Sequence, residues 1–126
     1  VRGHAVEKPE TVATAIRIGN PASWQKAEAA RDESSGLIDM VSDAEILAAQ
    51  KLLATRAGIF GEPASAASLA GLVKLSRQGR GFSGKIIACV ITGTGLKDTD
   101  TALKDAPPFR RLPPDIREVE KALGWG

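Results

Sequence analysis

The chain has 126 residues, a hydrophobic share of 43% and few aromatics: two Trp, three Phe and no Tyr. That is about one domain's worth of sequence with ample apolar material for a core. Seventeen Lys and Arg against fifteen Asp and Glu leave +2, too even a balance to mark nucleic acid or an anionic membrane as partner.

A single Cys, Cys89, and a single His, His4, exclude a Cys/His zinc site and an intrachain disulfide. A Ser-His-Asp triad would have to use His4, in a polar terminal stretch. No apolar run reaches the length of a membrane span. No signal-peptide pattern is legible in the first residues. A reducing, cytoplasmic setting fits the cysteine usage.

Residues 1–9 are polar and end in Lys8-Pro9, which reads as an arm or loop. Residues 10–18 have no clean period and read as extended or irregular. Asn20-Pro21 predicts a helix start, since Asn caps well and Pro suits the first helical position. Trp24, Ala27 and Ala30 give that helix an apolar face, and Ser34-Ser35-Gly36 stops it. Leu37 to Val41 reads as a short strand.

Ser42-Asp43-Ala44-Glu45 is a capping box, followed by Ile46, Ala49, Leu53 and Ala57 at helical spacing, with Gly58 as a left-handed stop. Glu62-Pro63 opens a further helix to about Gln78, stopped by Gly79. Its first turns are small: Ala64, Ser65, Ala66, Ala67, Ser68, Ala70 and Gly71. Small side chains let a backbone or a flat ligand approach closely. Lys74 to Lys85 carries four basic residues and no acid, which reads as a solvated basic loop rather than a phosphate contact.

Ile86 to Ile91 is a continuous apolar run, the pattern of a strand buried on both faces of a parallel sheet. Cys89 within it reads as an inert buried thiol. Thr92-Gly93-Thr94-Gly95 follows at once. Pro107-Pro108 breaks the chain, and Pro113-Pro114 opens a final helix with Ile116, Val119 and Leu123 on one side. Strand, helix, helix, strand and Gly-rich turn make an α/β order. Two strands are few for an open parallel sheet, so the chain reads as part of a larger α/β domain.

Ligands of such sheets bind outside the carboxyl ends of the strands, where Thr92 to Gly95 would lie. Its glycines admit a close ligand, and a threonine hydroxyl both donates and accepts. An ordinary tight turn uses the same residues. The turn matches neither a P-loop nor a full dinucleotide fingerprint. The Glu62 helix start is a second candidate, able to face an anionic or planar ligand or simply to pack tightly. Arg17-Ile18-Gly19-Asn20-Pro21 is a third.

Three segments together resemble the C-terminal part of the bacterial threonine synthase family. They are Pro9 to Trp24 (PETVATAIRIGNPASW), Gly58 to Ser68 (GIFGEPASAAS) and Thr92 to Asp98 (TGTGLKD). The last two, in looser form, run through the fold-type II pyridoxal-phosphate (PLP) enzymes. The resemblance implies a three-layer parallel-sheet α/β domain of the tryptophan synthase β-like class, present as its C-terminal part. On that reading, residues 1–126 belong to the PLP-binding catalytic domain, with 1–9 an arm and 107–126 a tail helix. It implies PLP as cofactor and conversion of O-phospho-L-homoserine and water to L-threonine and phosphate. A homodimer is implied by the same likeness.

By position, the resemblance makes Thr92 the hydroxyl facing the PLP ring nitrogen. A hydroxyl does not force that nitrogen to be protonated, as a carboxylate would. Gly93 would let backbone pass the ring, Glu62 would begin the helix near the cofactor, and Ala15 would lie along one cofactor face. Thr94 stands where relatives carry His or Asn, and Ala57 where Glu is common. The family's Schiff-base lysine lies in an N-terminal segment without counterpart here. The chain's eight lysines, such as Lys51, Lys74 and Lys97, lie in other contexts. The chain thus reads as one wall of the pocket, inactive alone, with Val1 as the cut point of a longer protein. The alternatives are another enzyme of this fold, such as a serine/threonine dehydratase or a β-replacement enzyme, or a non-catalytic module derived from it.

Overall fold

The computed structural model describes residues 4–104 and 108–125. Among them lie five α-helices: α1 (Trp24–Glu33), α2 (Asp43–Ala57), α3 (Pro63–Arg77), α4 (Thr99–Lys104) and α5 (Ile116–Leu123). Two 3-10 turns, Thr14–Ile16 and Gly95–Lys97, complete the regular structure. Val1 and Pro107 fall outside the described residues.

The core is the α2–α3 pair. Ile46 and Ala49 of α2 meet Ala64, Ala66 and Ala70 of α3, with Ala13 closing one end. The small residues of α3 are therefore a packing surface, because short side chains let the helix backbones approach. Leu53, Val41, Ala67 and Leu69 pack around this core.

Local chemistry fixes the helix ends. The Ser42 hydroxyl accepts from the Glu45 N–H at 3.3 Å, while Glu45 accepts from the Ser42 N–H at 2.7 Å. This is the expected capping box, and these bonds hold the Glu45 carboxyl below its ordinary range. Gly58 closes α2 in the left-handed region at φ 67°, where a Cβ would be strained. Pro63 occupies the first position of α3, where its missing N–H leaves no helical bond unmade. Asp115, after the two prolines, caps α5 by accepting from the Arg117 N–H.

The segment before α1 is tied to the core by polar contacts. Asp43, at the start of α2, accepts from the Thr11 hydroxyl at 2.6 Å and from the Val12 N–H at 3.1 Å. The Arg17 guanidinium donates to the Thr11 carbonyl. The Val6 N–H donates to the Gly19 carbonyl at 2.9 Å, and a Cβ on Gly19 would strike the Val6 carbonyl oxygen. The arm therefore folds back on Gly19.

Several sequence expectations are corrected. Helix α1 begins at Trp24, three residues beyond Pro21, because the Pro21 carbonyl accepts from the Trp24 N–H in a turn first. Neither Leu37 to Val41 nor Ile86 to Ile91 forms a strand; both lack regular structure and a ladder. A strand exists only where a neighbouring strand takes its N–H and C=O groups, and among the described residues no such strand lies beside either segment. Among the described residues there is consequently no sheet, only an isolated antiparallel bridge between Gly61 and Thr94. The apolar run is exposed, with Ile86 fully accessible and Val90 72% so, and Cys89 is half-buried rather than buried. Finally, Lys74 belongs to α3 and is not a loop cation. It donates to Asp39 at 2.9 Å and to the Met40 carbonyl at 2.6 Å, pinning the 39–41 segment to the helix.

Candidate functional site

The Gly61–Thr94 bridge brings two sequence-distant segments together at the start of α3. The Glu62 N–H donates to the Gly93 carbonyl at 3.0 Å, and the Gly95 N–H donates to the Phe60 carbonyl at 2.9 Å. From the other side, the Gln50 side-chain amide donates to the Gly61 carbonyl at 2.9 Å, linking this turn to α2.

At its centre is Ser65, fully buried on the first turn of α3. Its hydroxyl accepts from the Gly93 N–H at 2.9 Å and lies 3.0 Å from the Gly93 carbonyl and 3.1 Å from the Thr92 hydroxyl. The Thr92 hydroxyl reaches Glu62 Oε1 at 3.3 Å. Glu62 is only 5% exposed, so its carboxyl sits behind Thr92 rather than at the surface. Thr92 itself is exposed. The Thr92 hydroxyl is thus held by two interior side chains, Ser65 and Glu62.

The glycines here are dictated by contact. A Cβ on Gly93 would strike the Glu62 carboxyl, and one on Gly95 would strike the Phe60 ring. Thr94 caps the second 3-10 turn by accepting from the Leu96 N–H at 3.4 Å.

Of the residues singled out from the sequence, Glu62, Thr92 and Gly93 therefore come together. Ala15 stands apart, exposed on the first 3-10 turn, and shares no side-chain bond with them. Ser65 is the residue that sequence reasoning passed over as merely small. Nothing local in the sequence separates it from the alanines beside it, since its partners lie 27 and 28 residues further on.

Two clefts lie elsewhere. The larger, about 510 Å³, runs between Ile16, Met40, Ile46, Ser68 and Leu72, and its one carboxylate, Asp39, is already engaged by Lys74. The second carries Arg17, Asp43, Asp98 and Lys104. Neither includes Glu62, Thr92 or Gly93. Among the described residues no cluster of side chains suits a metal ion, and no helix is long and apolar enough to cross a membrane.

The chemical character of the turn is therefore that of a threonine hydroxyl bonded to a carboxylate and a serine. Comparison with known proteins gives it a family. Over 124 residues the chain is 52% identical to a threonine synthase of Mycobacterium leprae, covering 98% of this chain and 34% of that protein. A threonine synthase of Bacillus sp. is 56% identical over 103 residues, 82% of this chain and 29% of that protein. One of Methanocaldococcus jannaschii is 46% identical over 117 residues, 93% of this chain and 29% of that protein. The chain thus spans about a third of the length of these curated relatives. A family model described as "Pyridoxal-phosphate dependent enzyme" matches residues 2–93, through Glu62, Ser65, Thr92 and Gly93. With the match running from the first segment to Thr92 and Gly93, the chain belongs to the pyridoxal-phosphate dependent enzymes.

Proposed function

We propose that this chain is the C-terminal part of a threonine synthase and forms one wall of its PLP pocket. The observation that carries the reading is the 52% identity to a threonine synthase over 124 of its residues. The reaction is conversion of O-phospho-L-homoserine and water to L-threonine and phosphate, as a carbon–oxygen lyase. The enzyme works in the cytoplasm as a homodimer. The apolar run Ile86 to Ile91 takes a place in the parallel sheet of the whole domain, where neighbouring strands would bury its exposed side chains.

The residues present suit the cofactor. An aromatic ring nitrogen needs one hydrogen-bond partner, and the hydroxyl of the exposed residue Thr92, held by Ser65 and Glu62, would offer one. The missing Cβ of Gly93 makes room for the Glu62 carboxyl beside Thr92. When bound, PLP supplies the electron sink for carbanion chemistry at the substrate's carbons. Thr92 would hold the ring nitrogen, Gly93 would let the backbone approach the ring, and Ala15 would line a cofactor face. Glu62 and Ser65 fix the Thr92 hydroxyl in place. No lysine shares a hydrogen bond with Thr92 or Glu62 among the described residues. The lysine that carries the cofactor belongs on this reading to the remaining two-thirds of the enzyme, so the isolated chain is inactive.

The experiment compares the full-length protein with the chain alone, each given PLP and O-phospho-L-homoserine, serine or threonine. The expected result is threonine and phosphate from O-phospho-L-homoserine with the full-length protein only. Steady threonine release by the chain alone would overturn its assigned inactivity. Deamination of serine or threonine as the dominant activity would overturn the substrate assignment.

A further inference from the structure

The tail around α5 carries its own order. Asp115 accepts from the Arg117 N–H at 2.9 Å at the start of the helix, and Gly124 closes its end in the left-handed region at φ 70°. The Trp125 N–H donates to the Glu120 carbonyl at 2.9 Å, and the Arg110 guanidinium donates to the Ala122 carbonyl at 3.4 Å. Both ends of the helix are thus fixed from within the tail.

Its apolar face has no such partner. Ile116, Val119 and Leu123 fall on one side of α5 by helical spacing, with Arg117, Glu118 and Lys121 on the other. Ile116 is 68% exposed and Trp125 76%, and Phe109 and Leu123 are exposed as well. Among the described residues no hydrogen bond or ion pair joins 108–125 to the rest. A helix of eight residues is marginal in water unless such a face is packed.

Two observations choose what packs on it. The match to the Mycobacterium leprae threonine synthase takes in 98% of this chain, α5 included, but 34% of that protein. About two-thirds of such an enzyme is therefore available on the same polypeptide to cover the helix. The patch is also small. An eight-residue helix is about 12 Å long and about 10 Å wide, so one face offers on the order of 100 Å². Phe109 and Trp125 add roughly 150–250 Å² each. A stable dimer buries about 800 Å² per partner. A segment tethered to its partner needs no such area, because the tether presents it at a high effective concentration.

We propose that α5 is a clasp: through Ile116, Val119 and Leu123 it docks on an apolar surface of the part of the enzyme that precedes this chain in the same polypeptide. This rests on the reading of the chain as the C-terminal part of a longer threonine synthase, and it goes beyond that reading. The two parts are then held together at a second place besides the cofactor pocket.

The test uses the full-length protein with a photoreactive benzoyl-phenylalanine in place of Ile116. Illumination should give a product of single-chain mass on a denaturing gel, with the link mapped by peptide mass spectrometry to a segment before Val1. The same group in place of Trp125, at the rim of the patch, serves if the first variant does not fold. In parallel, Leu123→Asp should speed amide exchange in α5 by about tenfold or more. Arg117→Asp, on the opposite face, should change it by less than about threefold.

A product of doubled mass would assign the face to a second copy and overturn the inference. A link back to residues 4–104, or equal exchange in the two Asp variants, would overturn it too. Each of these results leaves the proposed function standing as long as the full-length protein forms threonine. A full-length protein that forms no threonine would overturn the proposed function, whatever the position of the link.

Discussion

The α2–α3 pair and the Ile86 to Ile91 run are both rich in apolar residues, yet they end in opposite states. Ile46 and Ala49 are buried, whereas Ile86 is fully accessible. The difference is in where the backbone finds its hydrogen bonds. A helix satisfies its own N–H and C=O groups, so two helices need only each other to bury a face. An extended run needs a neighbour on each side before its side chains can be covered. Hydrophobicity alone therefore does not place a residue inside. The secondary structure must first be closed.

Substitutions can break or sharpen that contrast. The largest effect should follow Ile46→Ala, which empties the centre of the helix pair and should cost about 2–5 kcal/mol in urea unfolding of the chain. A loss below 1 kcal/mol would mean that the pair is not the core. Next comes Ser65→Ala, which removes the acceptor of the half-buried Gly93 N–H. It should cost about 1–3 kcal/mol and speed amide exchange at Gly93. Unchanged Gly93 exchange would separate Ser65 from the turn.

Ser42→Ala removes the capping box and should cost about 1 kcal/mol, seen as a lower midpoint in the same unfolding experiment. Acid should loosen a neighbouring contact by a smaller amount. The Lys74 side-chain bond, and then the Met40 N–H, hold the Asp39 carboxyl below its ordinary range. Its contribution is complete above the unfolded carboxylate value and fades as pH falls through the lower folded one. The pair is exposed and screened by solvent, so the effect should be small. Faster exchange of the Met40 amide in acid, abolished in Asp39→Asn, would show it. The smallest effect belongs to Ile86→Ser, which should change the chain's stability by at most about 0.5 kcal/mol. A loss above 1 kcal/mol would show the run packed after all, and would erase the contrast with the helix pair.

Local signals in the sequence were read well where the chemistry is local. The Ser42–Glu45 box, the left-handed Gly58 and Pro63 at the first position of α3 each need only neighbours within a turn. The start of α1 was misjudged by three residues, since the Pro21 carbonyl closes a turn before the helix begins. The site was half legible. Glu62, Thr92 and Gly93 could be named from their segments. Ser65 could not be told from the alanines around it, because a small side chain on a helix face has no ligand until the partner segment is in place.

The sequence by itself determined the helix ends, the small-residue face of α3 and the kinship with pyridoxal-phosphate dependent enzymes. These depend on side chains a few positions apart or on identity matched along the chain. Only the tertiary structure decided that Ser65 and Glu62 stand behind Thr92, 27 and 30 residues away in the chain. It also decided that the apolar run after α3 stays uncovered among the described residues. Both outcomes rest on pairing between distant segments, which periodicity along a single segment cannot encode.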